Sequence, residues 1–227
     1  MVKGVAGYPR FSPVGEGALL VTFGEGISAQ VNHQVRLIDK RMQETPLAGI
    51  IEWVPAYASI LVLYDPFQIQ LTTLKNWVKS CFSALSATSE PSPKQVDISV
   101  RYGGVDGPDL PFVAEFHGIS QAEVIRKHTE QVYFVGMMGF LPGFAYLMGL
   151  DPGLSTPRLD QPRTHVPAGS VGIAGMQTGV YPLDSPGGWR LIGRTNLVLY
   201  DPLHEPHFTL SPGDEVSFVS AQERLQP

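Results

Sequence analysis

Between residues 164 and 196 the chain reads THVPAGSVGIAGMQTGVYPLDSPGGWRLIGRTN, and the side chains there that can do chemistry are His165, Ser170, Gln177, Thr178, Arg190, Arg194, Thr195 and Asn196. One imidazole, two guanidiniums and several neutral donors set among tight turns describe a pocket wall rather than a plain structural strand. Arginine offers a planar fork of N–H groups that suits a carboxylate or a phosphate. Arg158 and Arg163 extend the set upstream. Arg163 stands two residues before His165, so on a strand both face the same side. His165 can carry a proton near neutral pH or hydrogen-bond an anionic intermediate. Against these readings stand surface ion pairs for the arginines and a structural role for the histidine. Arg163 and Arg194 are the two for which anion binding is preferred.

A second candidate is YFVGMMGFLPGFAYLMGLDP, residues 133 to 152, where Gly136, Gly139, Gly143 and Gly149 interleave with Phe134, Phe140, Phe144 and Tyr146. Such a stretch serves either as the lip of a ligand or partner site or as a hydrophobic plug on a barrel end. Other signals fail. Ala168-Gly169-Ser170-Val171-Gly172 has Ala168 where a nucleophile elbow needs glycine, and it lacks the strand-then-helix setting. His204-Glu205-Pro206-His207 has neither the spacing nor a second cluster for a metal site. No phosphate-binding loop and no dinucleotide fingerprint occurs.

The elements that must hold these residues follow from periodicity. Residues 1 to 10 read as a loose arm. Ala18 to Phe23 reads as a buried strand, and Ile27, Val31, Val35, Ile38 and Met42 as one stripe of a helix. Ile50 to Val54 and Ser59 to Tyr64 are two strands. Leu71, Leu74, Val78, Cys81, Phe82 and Leu85 mark a second helix. This β-α-β-β-α order predicts an α+β sandwich with two helices on a small antiparallel sheet, spanning residues 1 to 90. ATSEPSPKQ, residues 87 to 95, reads as the linker. Val96 to Tyr102 alternates as a strand with one wet face; Asp109 opens a short helix, and Ser120 with Glu123 forms a capping box for another. From residue 131 short apolar runs between Gly and Pro turns have the texture of a β-barrel or sandwich, so residues 91 to 227 form the second domain. LVLYDP occurs twice, at 61–66 and 197–202, and reads as a strand ending in an Asp-Pro turn rather than as a repeat.

Composition narrows the class. The chain has 227 residues, 43% hydrophobic and 16% charged, with 24 glycines, 20 prolines and a net charge of −5. The charge argues against a nucleic-acid surface. A single cysteine, Cys81, permits no internal disulfide and fits a reducing cytoplasm. No apolar run approaches the ~18 residues of a membrane span, and the first residues lack the apolar core of a secretory leader.

Five stretches together resemble one family: GEGALLVTFGEGIS (15–28), VPAYASILVLYDP (54–66), VRYGGVDGPDL (100–110), GFLPGFAYLMGLDP (139–152) and PRTHVPAGSVGIAGMQTGVYPLDSPGGWRLIGRT (162–195). They are similar to the family of the 5-oxoprolinase B-type subunit and allophanate hydrolase subunit 1, which includes the C/D portion of the urea-carboxylase carboxyltransferase region and the Kip-type histidine-kinase inhibitors. The resemblance implies a small N-terminal α/β domain and a C-terminal cyclophilin-like β-barrel. It implies ATP-dependent opening of 5-oxoproline to glutamate together with an A-type subunit and a C-type barrel subunit, with ATP and Mg held by the assembled complex. Carried over by position, it implies a pocket of His165, Ser170, Gln177, Tyr181, Arg194 and Thr195 with the Phe140 to Phe144 loop as its lip. In that reading His165, Gln177 and Arg194 are catalytic. Arg163, Ser170, Tyr181, Thr195, Phe140 and Phe144 bind substrate, with Arg194 or Arg163 on its carboxylate. The alternatives are a non-catalytic kinase inhibitor and an allophanate or urea-pathway component.

Overall fold

A computed structural model describes residues 7–84 and 92–221. The chain divides into two compact units, Met1–Ser92 and Pro93–Pro227. Residues 1 to 6 of the expected arm, Leu85 of the expected second helix and residues 87 to 91 of the expected linker lie outside the described residues.

The first unit runs β1 (Arg10–Val14), β2 (Ala18–Thr22), α1 (Ala29–Glu44), β3 (Ile50–Pro55), β4 (Ser59–Tyr64) and α2 (Leu71–Ser83). Its sheet has the order β1-β2-β4-β3 and is antiparallel throughout. β1 is an addition to the expected order. It is an edge strand with Pro13 inside and mostly exposed residues, so it has no apolar signature. The expected α1 stripe holds from Val31 through Val35 and Ile38 to Met42, all buried in one core with Ile60, Val62, Leu74, Val78 and Cys81. Ile27 does not belong to it. The helix starts after Ser28, whose Oγ accepts the Val31 N–H at 3.4 Å, and Ile27 lies outside, 44% exposed.

The second unit contributes β5 (Gln95–Tyr102), α3 (Leu110–His117), α4 (Gln121–Thr129), β6 (Val132–Met138), β7 (Ala145–Met148), β8 (Arg163–Val166), β9 (Ser170–Ala174), β10 (Gln177–Val180), β11 (Ser185–Gly187), β12 (Arg190–Arg194) and β13 (Glu215–Ser220). Seven strands close into a barrel in the order β10-β7-β6-β13-β5-β12-β9, and β8 pairs with β11 as a separate two-stranded sheet. All barrel pairs are antiparallel except β13 on β5, which is parallel. Inward residues Ile98, Val100, Tyr133, Val135, Leu147, Val171, Ile173, Ile192, Val216 and Phe218 fill the interior. Ser120 caps α4 as expected, its Oγ accepting the Glu123 N–H at 3.1 Å. Asp109 precedes α3 but makes no side-chain cap. The second LVLYDP is not a strand. The Thr209 N–H and hydroxyl donate to the carbonyls of Leu199 and Val198, and Tyr200 makes only an isolated bridge to Phe208. Among the described residues no helix is long and apolar enough to cross a membrane.

Candidate functional site

Phe144 begins the site. It follows the turn between β6 and β7 and is 1% exposed. Four rings meet it edge-on: Phe140 at 5.6 Å, Tyr146 at 4.8 Å, Tyr181 at 5.3 Å and Trp189 at 5.4 Å between centroids. Edge-to-face packing satisfies the ring quadrupoles and leaves the walls near right angles rather than stacked shut. Three parts of the barrel supply these rings. Tyr146 lies on β7, Tyr181 follows β10, and Trp189 sits between β11 and β12. Their convergence needs glycines. A Cβ at Gly187 would stand 2.5 Å from the Tyr181 hydroxyl, and one at Gly179 would meet Ala145 O at 2.9 Å and the Phe144 and Trp189 rings at 3.3 Å.

Above this floor lies an open cleft of about 290 Å³, lined by Phe140, Phe144, Tyr146, Tyr181 and Trp189 together with Arg158, Pro162, Pro186, Gly187 and Gly188. Arg158 is the charged member of that lining, with Cζ 5.9 Å from the Trp189 ring centroid. Burial raises the Tyr146 phenol, and Arg158 pulls it back. Burial likewise raises the Tyr181 phenol, against a backbone hydrogen bond from Trp189 and the Arg158 charge. Both hydroxyls therefore stay protonated at neutral pH. The cleft thus presents one guanidinium and two neutral hydroxyl groups against aromatic walls, which is the chemistry for a small, flat anion.

Of the nine residues expected from the sequence, the structure brings Phe140, Phe144 and Tyr181 into this cleft. A second group meets beside it through the backbone. Tyr181 N–H donates to Ser170 O at 2.9 Å, Gly169 N–H to Tyr181 O at 2.7 Å, and Thr195 N–H to Gly169 O at 2.9 Å. Arg194 Nε donates to Ala168 O at 2.8 Å, and Thr195 Oγ1 accepts the Leu197 N–H at 3.1 Å. Ser170, Arg194 and Thr195 are therefore clustered, with Ser170 and Thr195 buried, and none of the three lines the cleft. His165 is exposed on β8 and Gln177 is half-buried at the start of β10; neither lines the cleft. Arg163 is committed elsewhere. Its guanidinium pairs with Asp109 at 2.8 Å and reaches Trp189 O at 3.4 Å, while the other Asp109 oxygen accepts the Leu191 N–H at 2.7 Å.

Three cleft side chains, Trp189, Tyr146 and Arg158, stand outside those nine. In sequence Trp189 is the start of an apolar run, Tyr146 is one aromatic of a glycine-rich loop, and Arg158 is one arginine of a set of four. The available signal is Gly187-Gly188 before Trp189, a backbone that lets other groups come close.

Comparison with known proteins agrees with the fold. The family described as carboxyltransferase domain, subdomain C and D, matches residues 9–210. A Bacillus subtilis protein named as the B-type subunit of 5-oxoprolinase is 41% identical over 225 residues, covering 95% of this chain and 94% of that protein. A longer crystallised protein is 39% identical with a TM-score of 0.79 over 90% of this chain, which spans 39% of its length. The urea amidolyase of K. lactis is 21% identical with a TM-score of 0.75, covering 95% of this chain and 15% of that enzyme; this likeness carries the fold alone.

Proposed function

The chain belongs to the carboxyltransferase subdomain C and D family, and from that premise we propose that it works as the B-type subunit of a 5-oxoprolinase. Near end-to-end identity of 41% with a protein of that name supports the reading, and one structural observation carries it: the open aromatic cleft with a guanidinium and two phenols. 5-Oxoproline is a five-membered lactam with one carboxylate. Its flat ring suits the aromatic walls and its charge suits the arginine.

A lactam carbonyl is a poor electrophile because the nitrogen lone pair is delocalised into it. ATP supplies the activation that makes ring opening favourable. A triphosphate needs a cradle of backbone N–H groups or several cations, and this cleft offers one guanidinium, so we place ATP and its Mg on the partner subunits. The work left to this chain is binding. Tyr146 and Tyr181 can donate to substrate oxygens, and the aromatic walls exclude water from one face of the ring. We assign no proton transfer to His165 or Gln177, which stand outside the cleft. An A-type and a C-type subunit would complete the site over the open mouth.

Co-expression with those two subunits tests the reading by ATP hydrolysis and glutamate formation. Turnover is expected only with all three chains and 5-oxoproline. Equal turnover without this chain sinks the reading and leaves the regulatory alternative. Turnover on allophanate or urea in place of 5-oxoproline transfers it to the urea pathway.

A further inference from the structure

We propose that Arg158 is the carboxylate receptor of the aromatic cleft, and that the cleft takes a small flat ring bearing a single carboxylate. That the ring is 5-oxoproline rests on the reading above; the receptor itself rests on geometry.

Four arginines serve this part of the chain, and three are held by other groups. Arg163 is bound to Asp109 at 2.8 Å. Arg194 donates through Nε to Ala168 O at 2.8 Å. Arg190 donates through Nε to Pro157 O at 3.2 Å and lies over the Phe112 ring, 3.6 Å from its centroid. Arg158 has no acidic partner among the described residues. It is exposed, and its contact is with the Trp189 ring inside the cleft. A guanidinium against an aromatic wall keeps its edge free, and that edge carries the paired N–H groups that match a carboxylate.

The rest of the cleft selects the ligand's shape. At about 290 Å³ it lies at the low end of ligand sites, so the ligand is small. Tyr181 and Trp189 stand at 82° and Phe144 and Trp189 at 89°, which makes corners that hold a flat ring by one face and one edge. The Arg158 charge is felt by both the Tyr146 and Tyr181 phenols, so guanidinium and hydroxyls can serve one ligand. Phe140, 60% exposed, belongs to the same lining, with its ring 6.3 Å from that of Tyr181.

The test is calorimetric titration of the chain assembled with its A-type and C-type partners, without ATP. The ligands are 5-oxoproline, its uncharged analogue 2-pyrrolidinone, benzoate and benzamide. Wild type is expected to bind the carboxylates and not their neutral partners. Arg158→Gln should weaken carboxylate binding about tenfold or more, and Arg158→Lys, which keeps the charge and loses the fork, should fall between. An unchanged melting temperature confirms that the exposed substitution leaves the fold intact. Carboxylate binding by Arg158→Gln equal to wild type overturns the proposal, as does failure of wild type to bind either carboxylate. Benzoate binding that depends on Arg158, without 5-oxoproline binding or turnover, leaves the receptor standing and removes the 5-oxoprolinase reading. Full 5-oxoproline affinity and turnover in Arg158→Gln does the reverse.

Discussion

His128 lies within the barrel core, fully buried, with both ring nitrogens occupied. Tyr102 Oη is 2.8 Å from Nδ1 and Thr178 Oγ1 is 2.9 Å from Nε2. Thr178 gives its one proton to Gly172 O at 3.0 Å, so it must accept from His128. Nε2 therefore carries the proton, Nδ1 accepts from Tyr102, and the imidazole is neutral. Burial pushes its pKa down to about 3, against an ordinary 6.5 in the unfolded chain. The unfolded state thus binds a proton that the folded state refuses. This contribution to stability is complete above pH 6.5 and is lost as pH falls toward 3. Stability from urea unfolding should fall between pH 6 and 5 with a slope approaching about 1.4 kcal/mol per pH unit. Asp151 and Asp201, whose carboxyls are held low mainly by Lys127 and by the Leu203 backbone, begin to cost stability only at more acid pH. His128→Gln should flatten the pH 6 to 5 slope; an equal slope in both proteins would remove His128 as its source. Nothing near His128 in the sequence reveals this role, since its partners lie 26 and 50 residues away. The arginines teach the same lesson. Their type announces anion chemistry, but what occupies each fork is decided across the fold, as by Asp109 54 residues from Arg163.

The turn joining β6 to β7 shows how an element places strain at the cleft. Phe140 has φ +70°, and it is the one non-glycine with positive φ among the described residues. Leu141 N–H donates to Gly139 O at 2.8 Å across it, which makes a γ-turn in its strained, positive-φ form. A glycine would sit there without penalty, so the phenylalanine is retained at a cost of about 1–2 kcal/mol. What it gains is the ring at the mouth, 6.3 Å from Tyr181 and 5.6 Å from Phe144. Phe140→Gly should therefore match or exceed wild type in urea stability while binding ring carboxylates several-fold more weakly. Phe140→Ala should show the same weakened binding without the stability gain, about 1 kcal/mol below the glycine variant. A glycine variant that is clearly less stable than the alanine variant would refute the strain. Elements with β-branched or aliphatic runs, such as β2, β4 and the α1 stripe, are legible in the sequence. β1 is not, because Pro13 and exposed neighbours hide an edge strand. The second LVLYDP departs from the strand expected of it because the first copy is a strand only through its ladders to β2 and β3, which the hexapeptide does not encode.

At the scale of the whole chain the barrel is a closed unit, and its closure depends on its last strand. Every barrel strand lies between Gln95 and Ser220, and the barrel core cluster draws on residues of this stretch alone. β13 pairs with β6 on one side and with β5 on the other, in parallel register from Glu215 opposite Gln95 to Ser220 opposite Val100. Short apolar runs and turns disclose that a barrel is present; they carry no word on which strand neighbours which, and least of all on a parallel partner 120 residues away. The fragment 93–227 should fold by itself, with a single cooperative urea transition and a near-ultraviolet circular dichroism signal from the buried Trp189. The fragment 93–213 should not. It lacks Val216 and Phe218, which are 0% and 1% exposed and worth together roughly 3–6 kcal/mol, and it opens two unpaired edges at β5 and β6. Set against a total stability of about 5–15 kcal/mol for a domain, that loss removes most or all of the margin. A cooperative transition in 93–213 would show that the barrel closes without β13, and an unfolded 93–227 would show that the barrel needs the first unit to fold.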